Sequence, residues 1–179
     1  TICLGGTTVF ADNTTIFGSG GSPISWIWEY GDNSSDTLTS IGTIHEYLLP
    51  GDYIVEYTII DAYCSNSTKD TINISPNITG FFTSTTVCEG DSTFIDGTGS
   101  TNTTDEWLWD LNANGIFTDP TDGNGETIYH IFTSPGWNVV SLLVKNYLIN
   151  DICQDTIKDS VYVYEKPTAY FIPTIVCFN

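Results

Sequence analysis

The chain of 179 residues carries one cysteine-containing phrase three times, which makes it a tandem repeat. The copies around Cys3 and Cys88 lie 85 residues apart (88 minus 3), and the copy around Cys177 follows 89 residues later (177 minus 88). This period is too long for a solenoid unit and is typical of small domains. We therefore expect one domain at 1–77 that lacks its first strand, a second at 78–166, and the start of a third at 167–179.

Further landmarks recur in the same order, so the repeat covers essentially the whole chain. The recurring pairs are Trp26 and Trp107, Trp28 and Trp109, His45 and His130, Pro50-Gly51 and Pro135-Gly136, and Cys64 and Cys153. Short insertions account for the small changes in offset between the copies. Both histidines stand five residues before a Pro-Gly turn. This shared position favours a structural role, such as a tautomer held by a backbone carbonyl, over catalysis or metal binding.

The cysteines predict disulfide bonds. The repeat register pairs Cys3 with Cys64 and Cys88 with Cys153, and it leaves Cys177 unpaired as the first cysteine of a third repeat. Zinc binding or free thiols are the alternatives, although no Cys-x-x-Cys spacing is present and the histidines lie away from the cysteines. Disulfide bonds form in oxidising compartments. We therefore expect an extracellular location, secreted and at the cell surface.

The net charge excludes two classes of partner. Asp and Glu total 22 against four Lys and Arg, which gives a formal charge of −18. Such a chain repels nucleic acid and anionic membrane surfaces. No stretch approaches the run of about 20 apolar residues that a membrane helix needs, so we expect no direct membrane insertion.

The local pattern predicts strands and turns throughout. Residues 53–60 and 137–144 alternate at period two and are rich in β-branched and aromatic side chains. Shorter runs of the same kind lie between clusters of Gly, Asn, Asp and Pro, which favour turns. No window has a helical stripe. About seven short strands in each repeat predict an all-β fold, with two immunoglobulin-type antiparallel β-sandwiches in tandem and one disulfide in each.

Three segments carry a family resemblance. Residues 25–33, 45–47 and 50–53 read SWIWEYGDN, HEY and PGDY, and they resemble the hallmark segments of a PKD domain, except that Asn33 replaces the family's glycine. The second repeat matches less literally. With its framing cysteines, the chain resembles the PKD-like arrays of very large surface proteins in gliding and biofilm-forming bacteria, including mobile adhesins of gliding motility. The resemblance implies a non-catalytic spacer or stalk in an adhesin or filament.

An insertion in the second repeat is the candidate for metal chemistry. Trp109 and His130 are 21 positions apart, whereas Trp28 and His45 are 17 apart. The longer stretch contains a D-x-N-x-N-G core, whose alternating oxygens can wrap a calcium ion. The expected ligands are Asp110, Asn112, Asn114, Ile116 and Asp119. PKD-like domains often carry calcium near this region; the alternative is a solvated turn. We expect no other cofactor.

The remaining signals concern glycans and partners. Candidate N-glycosylation sites are Asn13, Asn33, Asn66, Asn73, Asn77 and Asn102, and Thr71 and Thr156 lie in Asp-Thr-Ile phrases that resemble a bacterial O-glycosylation acceptor. Trp28 and Trp109 are expected in the core. Trp26, Trp107 and Trp137 leave open an alternative, a carbohydrate-binding accessory module of a secreted enzyme.

The last residues of the chain predict an assembly contact. Residues 169–171 read AYF and correspond to GFF at 80–82, so we expect them to form the first strand of the following repeat. An edge without that strand can accept one from a neighbour. The expected partners are therefore neighbouring repeats, other copies of the chain and surface glycans.

Overall fold

The computed structural model describes residues 2–14, 23–39, 42–101, 104–148 and 152–173. These residues form strands, turns and bends without a helix, so the all-β prediction is confirmed. None of them lies in a helix of the length and hydropathy that a membrane crossing requires. The chain divides into two compact units: unit 1 is Thr1–Ile78 with Asn146–Gln154, and unit 2 is Thr79–Lys145 with Asp155–Asn179.

Unit 1 is built on two sheets. Its strands are β1 (Ile2–Cys3), β2 (Thr7–Phe10), β3 (Ser25–Glu29), β4 (Ser35–Leu38), β5 (Thr43–Glu46), β6 (Gly51–Ile60) and β7 (Ser65–Ser75). One sheet has the order β1-β7-β6-β3-β4, and β2 pairs with β5 in the other. All pairs are antiparallel except β1 with β7.

An aromatic core lies between these sheets. Phe10 of β2 packs on Trp28 of β3 with ring centroids 5.2 Å apart, so each sheet contributes one ring. Tyr30, Tyr47, Val55 and Ile74 complete the buried cluster. Side chains alternate across a strand, which is why Val55 is buried in β6 while its neighbour Ile54 is exposed. The expected core position of Trp28 is confirmed.

Unit 2 repeats this arrangement. Its strands are β8 (Thr83–Ser84), β9 (Val87–Cys88), β10 (Thr93–Asp96), β11 (Glu106–Asp110), β12 (Thr127–His130), β13 (Gly136–Tyr147) and β14 (Ile152–Tyr164), although the adjoining ends of β13 and β14 fall in unit 1. The sheets have the orders β12-β10-β8 and β11-β13-β14-β9. Trp109 is fully buried among Ile95, Val140, Leu142 and Val161, so its expected core position is also confirmed.

The register of the parallel pairs reproduces the sequence repeat. Cys3 lies opposite Ser75 in unit 1, and Cys88 lies opposite Tyr164 in unit 2. The first residues of these pairs are 85 apart (88 minus 3), and the second are 89 apart (164 minus 75). These are the offsets of the first and second cysteines in the sequence. The two cysteine positions are therefore structurally equivalent between the repeats.

The predicted disulfide pairing is wrong. The structure joins Cys3 to Cys153, with the Cα atoms 5.6 Å apart, and leaves Cys64 and Cys88 as free thiols. The prediction therefore fails for both Cys3–Cys64 and Cys88–Cys153, as does the expectation of one bond in each sandwich. Cys177 lies outside the described residues.

Strand direction explains the failure. Cys3 lies beside Ser75 at the end of β7, whereas Cys64 directly precedes Ser65 at its start. Ten residues of strand at about 3.3 Å each separate these ends by roughly 33 Å. A disulfide needs Cα atoms within about 7 Å. The same distance argument excludes Cys88–Cys153, because Cys88 lies beside Tyr164 at the end of β14 and Cys153 lies near its start.

The two units differ from the predicted ranges 1–77, 78–166 and 167–179. Asn146–Gln154 groups with unit 1, and Asp155–Asn179 groups with unit 2. The first difference accompanies longer strands: β13 and β14 have 12 and 13 residues, against 10 and 11 in β6 and β7. The tip of this longer hairpin carries Cys153, which is bonded to Cys3.

Candidate functional site

The insertion in the second repeat forms a loop that begins at the end of β11. Asp110, the last residue of β11, is almost completely buried. Its Oδ1 accepts a hydrogen bond from the amide of Asn114 at 3.2 Å, and its Oδ2 accepts one from Gly115 at 2.9 Å. Gly115 has φ of +79°, a conformation that suits glycine. The carboxylate therefore holds the sharp turn of the loop from inside.

The two asparagines of the loop also turn their oxygens toward the backbone. Asn112 Oδ1 accepts from the amide of Asn114 at 3.0 Å, and Asn114 Oδ1 accepts from Ile116 at 2.7 Å. The amide group of Asn114 donates to Asp119 Oδ2 at 3.1 Å. Hydrogen bonds to Asn114 thus join all five predicted ligands within one loop.

The far end of the loop is held by Thr121. Its backbone amide and its hydroxyl both donate to Asp119 Oδ1, at 3.1 and 3.0 Å, and Asn112 Nδ2 donates to the Thr121 hydroxyl at 3.0 Å. The hydrogen bonds from Thr121 lower the pKa of Asp119 below its ordinary value.

Asp122 closes the loop and carries an unpaired oxygen. Its Oδ1 accepts from the amide of Leu111 at 2.9 Å. Its Oδ2 is buried and has no hydrogen-bond partner. A buried carboxylate oxygen without a partner is costly, and cation coordination would satisfy it. Asp122 is not among the five ligands expected from the sequence.

The donor set suits calcium better than a transition metal. Within the described residues, no three side chains of His, Cys, Asp or Glu cluster closely enough to hold a metal ion. A cation in this loop would therefore rely on amide and backbone oxygens beside its carboxylates. Calcium accepts such mixed oxygen shells, whereas zinc prefers His and Cys.

The loop borders a cavity of about 650 Å³ in unit 2. The cavity is lined by residues of the loop and of β12, including Asp119, Asp122 and His130. His130 packs edge-on against Phe132 with ring centroids 4.6 Å apart. Partial burial lowers its pKa, while the charge of Asp122 acts weakly in the opposite direction.

The equivalent histidine of unit 1 has a different partner. His45 Nε2 lies 2.7 Å from Asp32 Oδ2, and its ring stacks on Tyr30 at 3.9 Å. Partial burial raises the pKa of Asp32, but hydrogen bonds from Ser34 and His45 outweigh this effect and leave it below its ordinary value. The partner is a carboxylate rather than the expected backbone carbonyl. Both histidines pack against aromatic rings.

The turn beside His45 contains Asn33, which stands where the PKD family has a glycine. This residue has φ of +72°, in the left-handed region that glycine adopts freely. Asparagine is the side chain that best tolerates this region after glycine. The turn that the PKD resemblance implies can therefore form without the family's glycine.

Unit 2 presents an aromatic row on β13 and β14. Trp137 is 72% exposed, and its ring contacts Tyr162 at 5.0 Å, which in turn contacts Tyr164 at 4.9 Å. The sequence also left a sugar-binding role open for two other tryptophans, and the indole N–H group of each donates a hydrogen bond within the protein. Trp26 donates to Asp12, and Trp107 donates to the carbonyl of Gly97.

The candidate glycosylation residues that the structure describes are all exposed. They are Asn13, Asn33, Asn66, Asn73, Asn77, Thr71 and Thr156. Asn102 lies outside the described residues. Exposure makes each described side chain accessible to a transferase.

The segment predicted to start the next repeat is exposed. Tyr170, Phe171 and Ile172 are 82%, 83% and 73% exposed, and they belong to no strand. The counterpart of Phe171 in unit 2 is Phe82, which is buried and packs edge-on against Trp109 with ring centroids 5.4 Å apart, whereas Phe81, the counterpart of Tyr170, is 49% exposed. Unit 1 contains a cavity of about 510 Å³ beside Trp28, the counterpart of Trp109.

Comparisons with known proteins bear on the fold. No curated protein matches the chain. Fibronectin(III)-like modules of Clostridium thermocellum CbhA are 11% identical, with 96% of this chain and 94% of that chain covered and a TM-score of 0.42. The four N-terminal Ig domains of Dscam1 isoform 4.44 are 8% identical, with 92% and 42% covered and a TM-score of 0.36. The full ectodomain of mouse nectin-like molecule 4 is 10% identical, with 93% of this chain and 57% of that chain covered and a TM-score of 0.38.

The sequence comparison is more specific than these structural similarities. Residues 4–74 match the family model of the PKD domain. This range runs from the end of β1 to the penultimate residue of β7 and so includes both sheets of unit 1. The match and the paired sheets together support a PKD-like β-sandwich.

Proposed function

We propose that the chain is a non-catalytic, extracellular spacer or stalk segment of a large repeat-containing surface adhesin or filament that serves adhesion or gliding motility. β-Sandwich modules of the PKD and immunoglobulin kind are typically non-catalytic and extracellular, and the Cys3–Cys153 disulfide suits an oxidising compartment. The neighbouring partners are further repeats of the same kind. The adhesin and gliding context rests on the sequence resemblance.

The exposed segment at residues 170–172 is the observation that carries this proposal. A monomeric domain has no reason to leave three adjacent large apolar side chains in water, because burying each is worth about 1.5–3 kcal/mol. The equivalent Phe82 shows where such a ring goes when its repeat is complete, namely against the core tryptophan. In a neighbouring copy, Phe171 would enter the cavity beside Trp28, which is lined by Val55, Tyr57 and other residues.

Light scattering and hydrogen exchange test this contact. We expect the reduced chain to self-associate as its concentration rises, with amide exchange at residues 169–172 slowing in parallel. Truncation after Pro167, or Phe171→Asp, should abolish both effects. Ile131→Asp, which also changes an exposed apolar residue, is the matched control. A strict monomer would contradict the proposal, and protection of the segment in that monomer would show that it packs on its own unit 2.

Calcium binding by unit 2 belongs to the same proposal. It is supported by the buried, unpaired oxygen of Asp122 beside the loop that carries Asp110 and Asp119. Bound calcium would fix the loop and stiffen the spacer. Unit 1 has no such loop, because its shorter turn is closed by the contact between Asp32 and His45.

The alternative function is a carbohydrate-binding accessory module of a secreted enzyme. It is supported by the row of Trp137, Tyr162 and Tyr164, in which the first and last rings are exposed and the middle ring is half-buried, since flat aromatic faces stack on sugar rings. Sedimentation with insoluble polysaccharides decides between the two functions. The alternative requires binding that Trp137→Ala abolishes and Tyr129→Ala, which removes another exposed ring, does not.

A further inference from the structure

The observed disulfide connects non-equivalent positions of two successive sequence repeats. Cys3 is the first cysteine of repeat one, and Cys153 is the second cysteine of repeat two. The bond therefore follows a rule that links the first cysteine of one repeat to the second cysteine of the next. Under this rule each repeat has one cysteine for each of its two neighbours.

Among the described residues, Cys64 and Cys88 are free, and they are the positions for which this rule leaves no partner within the chain. Cys88 is the equivalent of Cys3: both follow a valine or isoleucine in a two-residue strand that pairs in parallel with the end of the last long strand. Cys88 is half-buried and free. Since the backbone around it matches that of the bonded Cys3, it presents a thiol in the same setting.

Cys64 is the equivalent of Cys153. It is exposed and free directly before β7, and Cys153 is the second residue of β14, the counterpart of β7. Asp61 Oδ1 accepts hydrogen bonds from the amides of Tyr63 at 2.7 Å and Cys64 at 2.6 Å. The turn thus holds the backbone of Cys64 in place at the surface.

We propose that Cys88 and Cys64 are cross-linking sites for neighbouring repeats, in which Cys88 of one copy forms a disulfide with Cys64 of the next. This inference rests on the proposed function, because it requires repeats to lie next to one another. Repetition of the bond would produce a ladder in which every repeat is covalently tied to the one that follows. The non-covalent contact through Phe171 and the disulfide would then act at the same neighbour.

The chemistry needs a small-molecule disulfide as oxidant. The thiolate of Cys64 attacks this disulfide, forms a mixed disulfide and releases one thiolate, which takes up a proton. The thiolate of Cys88 from the neighbouring copy then attacks the protein sulfur and releases the second thiolate. Two protein thiols are oxidised, and one small disulfide is reduced to two thiols.

The test uses the chain with Cys177→Ser, so that the fifth cysteine of the sequence cannot compete. A mixture of nitrogen-14 and nitrogen-15 chains is incubated in glutathione buffer, and its peptides are mapped without reduction. We expect a Cys64–Cys88 peptide that contains both isotopes, together with intact Cys3–Cys153. On a non-reducing gel we expect a ladder of oligomers, which Cys64→Ser or Cys88→Ser should reduce to the monomer, because each change removes one partner of the bond.

A displaced thiol provides the matched control. Cys64→Ser combined with Ser67→Cys moves the exposed thiol three residues along β7, and we expect at least a tenfold loss of cross-linking to Cys88. Equal cross-linking by this variant would overturn the proposal. So would a peptide map that shows a Cys3–Cys64 or Cys88–Cys153 disulfide within one chain. The spacer function is judged separately, because association through Phe171 is measured on reduced protein. The double variant Cys64→Ser, Cys88→Ser measures association without the disulfide. If this variant still associates but the parent chain forms no ladder, only the disulfide proposal is refuted.

Discussion

Phe82 meets Trp109 edge-to-face in the core of unit 2, with ring centroids 5.4 Å apart and planes inclined by 78°. The contact ties the segment before β8 to β11, two parts of the chain that are separated by more than twenty residues. Edge-to-face pairs add about 0.5–1.5 kcal/mol to the gain from burial alone. The ring anchors the segment together with hydrogen bonds, because the Gly80 amide donates to Asp155 Oδ2 and the Phe81 amide donates to Ser100 Oγ.

Phe82→Ala should destabilise unit 2 by about 3–5 kcal/mol, because it removes a buried ring and leaves a cavity against Trp109. Hydrogen exchange of the amides at residues 140–144 measures unit 2 separately. The equivalent change, Phe171→Ala, affects an exposed ring and should alter the stability of the monomer by less than about 0.5 kcal/mol. Similar effects of the two changes would contradict the assignment of Phe82 as the anchor.

Tyr47→Phe should cost unit 1 about 1 kcal/mol, because the buried Tyr47 hydroxyl donates to the carbonyl of Tyr30 at 3.0 Å and its loss leaves that acceptor unsatisfied. Burial raises the pKa of Tyr47 to about 12. Tyr53→Phe is the control, since its hydroxyl also donates to a backbone carbonyl, that of Leu49, at an exposed site. Urea denaturation compares the two. A larger loss for Tyr53→Phe would refute the structural role of Tyr47.

Unit 2 should lose stability as the pH falls below 6.5. Burial lowers the pKa of His130 below its ordinary value of 6.5. The unfolded state therefore binds the proton first, and the contribution is complete above 6.5 and lost as the pH falls toward the pKa of the folded state. The free energy of unfolding of unit 2, measured at several pH values between 8 and 5, checks this prediction, and an NMR titration gives the pKa of His130. His130→Gln should flatten the profile; a His130 pKa above 6.5 would reverse the predicted sign.

Calcium should bind unit 2 and stabilise it. Isothermal titration of the chain should detect one site, and Asp122→Asn should weaken it at least tenfold, because that change removes the charge of the unpaired oxygen while keeping an acceptor for Leu111. Asp110→Ala should abolish binding. Asp96→Asn, in the same unit at the end of β10, is the control for net charge. Heat of binding that survives Asp110→Ala unchanged would place the site elsewhere.

Local sequence determined most of the strands. Residues 53–60 and 137–144 were predicted from alternation, and they fall within β6 and β13. Such runs are readable because β-branched and aromatic side chains fit a pleated surface with one buried face. Strand β7 begins at Ser65, where the sequence shows no such run. Its first half is polar and exposed, so it is a strand because it pairs with β6, which no local pattern reports.

The sequence by itself also determined the repeat, the core tryptophans and the likeness to a PKD domain, since these depend on residue identity and spacing. Only the tertiary structure decided which cysteines meet. Parallel pairing of β1 with β7 and of β9 with β14 places the first cysteine of each repeat at the far end of the strand from the second. It also decided that Asp122 rather than Asp119 carries the unpaired oxygen of the loop. Both outcomes depend on contacts between residues distant along the chain, and such contacts leave no periodic signal in the sequence.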